Sequence, residues 1–171
     1  MRTLILLTTC MLLATVATTQ AQNQPKEATA WSDKRRLLPD KLRSLPVGLT
    51  LWHTNNPCVP VLESDTYVWK HSTMIRAEAG DLDLVEAGSF IWYDSTGWHP
   101  NMQYDAQLFA EKFNCPGGKL KSGKVYTFDK NWRFGKKLYG GDALWYIIAR
   151  DKTGKLYKGY GLIETEGKTS L

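Results

Sequence analysis

The sequence predicts a mainly-β fold: an antiparallel β-sandwich or barrel of six to seven strands, with one short α-helix at about residues 105–114 and short helical turns near the N-terminus. Three observations predict it. The run Ala143–Ala149 (ALWYIIA) is apolar throughout and is fenced by Gly140-Gly141-Asp142 and Asp151-Lys152-Thr153-Gly154, so its length suits a buried strand better than a helix. Lys155–Glu164 returns as its antiparallel partner, with Gly154 at the left-handed position of the connecting loop. Elsewhere, short β-branched and aromatic runs alternate with Gly, Pro, Asn and Asp clusters, and only one segment carries a convincing helical stripe.

The chain opens with Met1-Arg2, an apolar stretch over Leu4–Val16 and the small-residue pattern Thr19-Gln20-Ala21. This is the form of a secretory signal peptide, residues 1–21, and it implies a secreted or periplasmic protein. The apolar stretch is too short and interrupted for a permanent span, and nothing later approaches one, so no membrane span is expected. Residues 22–31 are polar and unpatterned, a flexible lead-in, and residues 32–171 read as a single mainly-β domain. From Ser32, the residues Leu38, Leu42 and Leu45 share a helical face that Pro39 and Pro46 interrupt. What remains is one or two helical turns carrying Lys34, Arg35, Arg36, Lys41 and Arg43 outward.

Leu49–His53 is strand-like and stops at Asn55-Asn56-Pro57. Thr66–Arg76 alternates, with Tyr67, Trp69, His71, Thr73 and Ile75 on the core face. After a turn at Glu78–Asp81, Leu82–Tyr93 sets Leu82, Leu84, Glu86, Phe90 and Trp92 in one register. Gly88, in mid-strand, marks a bulge or a close backbone approach. If these two strands form a hairpin about Ala79-Gly80, His71 and Glu86 become diagonal neighbours on one face. Asp94–Gly97 repeats the D-x-T-G form of Asp151–Gly154 and reads as a second hairpin loop. Asp105 then N-caps a helix with Ala106, Phe109 and Phe113 as its apolar stripe, ended by Cys115-Pro116-Gly117-Gly118. Val125–Asp129 is a short strand and Asn131–Gly135 a loop. Cys58 and Cys115, both in loop-like contexts, are expected to pair as a disulfide in an oxidising compartment.

Chemistry is less legible than architecture. Nucleophile elbows, phosphate loops and dinucleotide fingerprints are absent. His53, His71 and His99 each lie in or beside a strand, so a three-imidazole metal site is geometrically available, although no spacing puts two of them on one element. The chain needs no cofactor on this reading, and a divalent metal is the alternative. A carboxylate on an apolar strand face must be paired or shifted in pKa, as a general acid or base requires. Glu86 with His71 meets that criterion, and Asp142 between Gly141 and the apolar strand is the other candidate.

The strongest compositional feature is aromatic: seven tryptophans and eight tyrosines in 171 residues, several beside turns. Sugars stack on such rings while Asn, Asp, Arg and Lys bond their hydroxyls, which nominates Trp98, Asn101, Trp132, Arg133, Tyr139 and Tyr157 as ligand-binding residues. Between Lys119 and Lys137, seven cations face one acid, Asp129, with aromatics interleaved; the pattern suits a polyanion. Export favours an acidic polysaccharide over nucleic acid. The leading expectation is a secreted domain binding a glycan or small polar ligand in an aromatic-lined cleft with a basic rim. The alternatives are a carbohydrate lyase or hydrolase using Glu86 and His71, with or without metal, and an extracellular protein-interaction module.

Overall fold

The computed structural model describes residues 36–169; the segments read as signal peptide and lead-in lie outside the described residues. Among the described residues no helix is long and apolar enough to cross a membrane. In chain order the elements are α1 (Asp40–Arg43), β1 (Leu49–Thr54), β2 (Val61–Glu63), β3 (Thr66–Trp69), β4 (Ser72–Ala77), β5 (Leu82–Trp92), β6 (His99–Tyr104) and α2 (Ala106–Phe113). A 3₁₀ turn at Pro116–Gly118 leads to β7 (Lys119–Leu120), β8 (Val125–Phe128), β9 (Arg133–Gly135), β10 (Gly141–Arg150) and β11 (Leu156–Thr165). They build three antiparallel sheets, β11-β10-β5-β6 with β7 against β5, β1-β4-β8, and β2-β3-β9. The arrangement is sandwich-like and does not close into a barrel.

The long hairpin β10–β11 is the backbone of the structure, paired in unbroken register from Gly141↔Thr165 to Arg150↔Leu156. Its loop forms as its chemistry dictates: Asp151 Oδ1 accepts from Thr153 N and Lys155 N, and Gly154 takes φ +88°. On one face of β10, Ala143, Trp145, Ile147 and Ala149 join the main core with Leu49, Leu51 and Ile75 of β1 and β4. On the other, Leu144, Tyr146 and Ile148 pack with Leu42 of α1. A strand covered on both sides has no polar face, which is why this run reads as uniformly apolar. β1 lies directly on β11: a Cβ at Gly161 would stand 2.6 Å from Leu51 O, so only glycine admits the crossing.

The helix forms where expected. Asp105 accepts from Leu108 N at 2.8 Å, Asn114 closes the helix in the left-handed region, and Phe109 and Phe113 are buried against the core. The Asp94–Gly97 loop also connects a true hairpin, β5–β6.

Four expectations are corrected. Thr66–Arg76 is two strands, because the chain leaves β3 and enters a different sheet as β4, with Lys70 and His71 at the switch. The Glu78–Asp81 turn joins sheets instead of making a hairpin: β5 pairs with β10 on one side and β6 and β7 on the other, and β4 pairs with β1 and β8. Asn131–Gly135 contributes a strand, β9, paired with β3. The Cys58–Cys115 disulfide is not formed and both thiols are free. Cys58 sits beside Thr165, which faces Gly141, whereas the Cys115 thiol donates to Lys119 O, and Lys119 faces Asp83, itself opposite Arg150. The two cysteines therefore lie at opposite ends of β10, roughly 30 Å apart at ~3.3 Å per strand residue, far beyond the reach of a disulfide.

Candidate functional site

The switch of sheets at Lys70-His71 leaves a seam between the large sheet and the short β3–β9 pair, and a cavity of about 230 Å³ occupies it. Ala143 and Trp145 of β10, Ile91 of β5 and Ile163 and Thr165 of β11 form one wall; His71, Asn131, Trp132 and Arg133 form the other. Asn101 and Met102 of β6 supply the rim. Asn101 is there because of a bulge: Ser89 faces Met102 and Phe90 faces Pro100, so Asn101 has no cross-strand partner. Its amide nitrogen donates to Ser89 Oγ at 3.0 Å.

His71 is 6 % exposed and its ring lines the cavity, but both ring nitrogens are shut off from solvent; neither has a partner at good hydrogen-bond geometry, and the Trp69 backbone supplies a looser contact. Burial first, and then the charge of Arg133, push its pKa down to about 4; the nearby Trp69 carbonyl favours the charged ring but does not offset them. The ring is therefore neutral at pH 7. It meets His53 edge-on, with centroids 5.9 Å apart.

His53 is by contrast fully partnered. Its Nε2 is 3.3 Å from Gly161 O and its Nδ1 2.9 Å from Thr73 Oγ1, which in turn accepts from Asn131 Nδ2 at 2.7 Å. The arrangement is self-consistent when His53 donates through Nε2 and Thr73 donates to Nδ1. Burial lowers the His53 pKa to about 4 as well, against the Gly161 carbonyl and with a smaller contribution from His71. This chain of bonds holds Asn131 in place from behind the cavity wall.

Arg133 is fixed by neutral groups. Its Nε donates to Tyr139 Oη at 3.0 Å and its Nη1 to Thr165 Oγ1 at 3.3 Å, while the guanidinium stacks 4.1 Å from the Tyr139 ring centroid. Tyr139 is anchored in turn by Trp69, with centroids 4.5 Å apart, and by donating to Phe134 O. Among the described residues no carboxylate pairs with Arg133, so its positive charge reaches the cavity uncompensated. Lys70 and Lys130 lie 4.9 and 5.8 Å from the Trp132 ring centroid at the outer edge, where Lys70 is ion-paired with Glu63.

No protein-family model and no curated protein matches this chain. Among solved structures, it is similar to the crystal structure of a protein designated ApaA from Bordetella pertussis, at 12% identity and a TM-score of 0.47. That likeness covers 71% of this chain and 96% of the other. It is too distant to bear on fold or function.

Of the ligand-binding candidates, Asn101, Trp132 and Arg133 meet at the cavity, and Tyr139 stands directly behind Arg133. Trp98 and Tyr157 do not. Trp98 packs edge-on against Trp92 and donates to Leu37 O on the α1 side of the sheet. Tyr157 covers Gly48 near the far end of the hairpin.

Of the catalytic candidates, only His71 reaches the cavity. The diagonal His71–Glu86 pair is not formed, because a bulge at Val85, between the pairs Leu84↔Ala149 and Glu86↔Ile148, reverses the facing of β5. Beyond it Ala87 and Ile91 turn to the main core, and Phe90 to the α1 side with Glu86. There Glu86 Oε1 lies 2.5 Å from both Lys41 Nζ and Tyr146 Oη. Partial burial pushes its pKa up, but the bonds from Lys41 and Tyr146 outweigh this and hold the carboxyl below its usual value. Asp142 is paired with Arg36 at 2.8 Å. Lys41 and Arg36, expected to face solvent, are thus drawn inward by half-buried acids.

The three-imidazole set is not assembled either. His99 is held by Asp94 and Thr96 and stacks on Tyr93, while both nitrogens of His53 are already engaged. Among the described residues no three His, Cys, Asp or Glu side chains gather as a metal cluster.

The basic segment is dispersed as well. Lys119 and Lys121 lie beside Asp83 and Asp81 at the far end of β5, Lys136 binds the Asp65–Thr66 turn, Lys130 lies over the Trp132 ring, and of the seven cations Arg133 alone lines the cavity. Asn131 and Trp145 are site residues that sequence reasoning missed. The alternation of β10 could have flagged Trp145 as facing the same way as Ala143, but nothing local marked Asn131.

Proposed function

We propose that this protein is an exported binding domain that holds a small polar ligand, a free sugar or the terminal residue of a glycan, in the cavity between His71, Trp132 and Trp145. The observation that carries this reading is the lining: Trp132 and Trp145 meet Asn101, Asn131 and the Arg133 guanidinium around one cavity, with the His71 ring in its wall. Two indoles supply apolar surface and Asn101 and Asn131 supply amides, the mixture typical of small-molecule sites. At about 230 Å³ the space falls below the ~300–1,000 Å³ of drug-sized pockets and suits one sugar ring. A lyase or hydrolase built on Glu86 with His71 is not carried forward, since those side chains sit on opposite sides of the large sheet.

Tryptophan fluorescence tests the reading, because Trp132 and Trp145 both line the space. Titration with D-glucose, D-galactose and their uronic acids should give a saturable change for at least one compound, lost in Trp132→Ala with the fold intact by circular dichroism. Absence of any saturable change at tens of millimolar, in fluorescence and in a parallel calorimetric titration, would overturn it.

A further inference from the structure

We infer that the ligand of this cavity carries a carboxylate, with the Arg133 guanidinium as its anchor. The inference rests on the binding reading above and narrows it from polar ligands to sugar-sized acids.

Among the described residues, Arg133 is the only charged side chain lining the cavity. Its Nε and Nη1 are spent on Tyr139 and Thr165, two uncharged hydroxyls, and its plane is stacked on Tyr139. These contacts remove the rotational freedom of a long side chain and leave the charge unneutralised, so the cost of ordering the guanidinium is met before any ligand arrives. A site for a neutral sugar has no need of a fixed, uncompensated cation, and it would cost that sugar a desolvated charge it cannot match. An acid matches it, and the charge-assisted bond formed is roughly twice as strong as a neutral one.

The neighbouring groups say which kind of anion. His71 is a neutral ring whose nitrogens are buried in the cavity wall, so it adds no charge to the space. One guanidinium beside a neutral imidazole balances a single negative charge. A phosphate or sulfate ester, with up to two charges and three acceptor oxygens, calls for more cations than this wall holds; Lys70 and Lys130 lie out on the Trp132 ring and do not line the space. Asn101 and Asn131 remain for ligand hydroxyls. A hydroxylated monocarboxylate the size of one sugar ring, a hexuronate, fits each of these groups.

The test uses matched probes on the full protein by isothermal calorimetry: D-glucuronate against D-glucose, D-galacturonate against D-galactose, and the uronate methyl esters. The acid should bind about 10- to 100-fold more tightly than its neutral sugar, the range of one charge-assisted hydrogen-bonded pair. Esterification should abolish the preference, and Arg133→Gln should bring acid and neutral sugar to equal affinity. The ester arm acts on the ligand, so it decides the matter even if Arg133→Gln fails to fold. Equal binding of acid, ester and neutral sugar would overturn the carboxylate and leave the binding reading standing. A preference retained in folded Arg133→Gln, or tighter binding of glucose 6-phosphate than of glucuronate, would also overturn it. Binding of none of the probes would overturn both readings together.

Discussion

Lowering the pH from 7 to 5 should destabilise this protein chiefly through two histidines, and His71→Gln should remove half of that effect. His53 and His71 are held near pKa 4 in the folded chain, against 6.5 for a free side chain. Between those values the unfolded chain binds more protons than the folded one, so stability rises with pH; it is fully present above about pH 6.5 and lost as pH falls toward 4. A tenfold difference in proton affinity between the folded and unfolded chain is worth about 1.4 kcal/mol, which gives each histidine roughly 2 kcal/mol of loss by pH 5 and roughly 3 by pH 4. The two rings touch, so the second proton is no easier to add than the first. A combined loss of about 4 kcal/mol is a large share of the ~5–15 kcal/mol that holds a domain together. Urea denaturation at pH 7 and pH 5, on wild type and His71→Gln, measures it directly. The wild type should lose about 4 kcal/mol and the variant about 2, with the same m-value. An identical pH dependence in the two proteins would refute the reasoning, because it would mean that His71 is not buried as a neutral ring.

Other consequences concern the scaffold and the groups that left the site. Gly88→Ala should be among the most damaging small substitutions: the new Cβ would stand 2.3 Å from Met102 O and 2.9 Å from Tyr146 Oη, and the backbone carbonyl cannot retreat without breaking the β5–β6 pairing. A loss of about 3 kcal/mol in chemical denaturation is expected, and a loss under ~1 kcal/mol would contradict the packing. Lys41→Met should cost about 1 kcal/mol, since Lys41 is partly exposed and solvent screens the pair. The Glu86 pKa is depressed, so its contribution is present above about pH 4.5 and the gap between Lys41→Met and wild type should close as pH falls below that; a gap unchanged at about pH 3 would refute it. Iodoacetamide added to denatured protein that has never met a reductant should alkylate both Cys58 and Cys115, as seen by peptide mass, and failure to label either would restore the disulfide.

The parts of the fold legible in sequence were those set by local chemistry. Asp105 caps its helix, Gly154 and Gly97 turn their hairpins, and the apolar run over Ala143–Ala149 is the central strand. What misled was anything requiring two distant segments. The alternation of Thr66–Arg76 is genuine, yet it spans a change of sheet, because Lys70 and His71 carry no turn signal. The facing of Glu86 depended on a bulge at Val85, a residue with no preference for bulges, whereas the visible irregularity at Gly88 proved to be a close approach by Tyr146 and Met102. The same limits applied to the site. Asn101, Trp132, Arg133 and His71 could be nominated by type, but their convergence is a product of the seam. The inward turn of Lys41 and Arg36 was hidden because a half-buried acid on another element, and not their own neighbours, decides where a long cation goes. Distant pairing also decided the cysteines, whose separation follows from the length of β10.

His71 is a neutral ring in the wall of the cavity beside Arg133, and it reports both on its own burial and on occupancy of that space. The most direct measurement is the ¹⁵N signal pair of the His71 imidazole in histidine-labelled protein at pH 7, with and without saturating D-glucuronate. The expected result is a neutral ring in the free protein and a shift of its signals when ligand fills the cavity beside it, while the His53 signals hold. A His71 ring already protonated at pH 7 in the free protein, or signals that do not move when ligand saturates the site, would be the contradicting result.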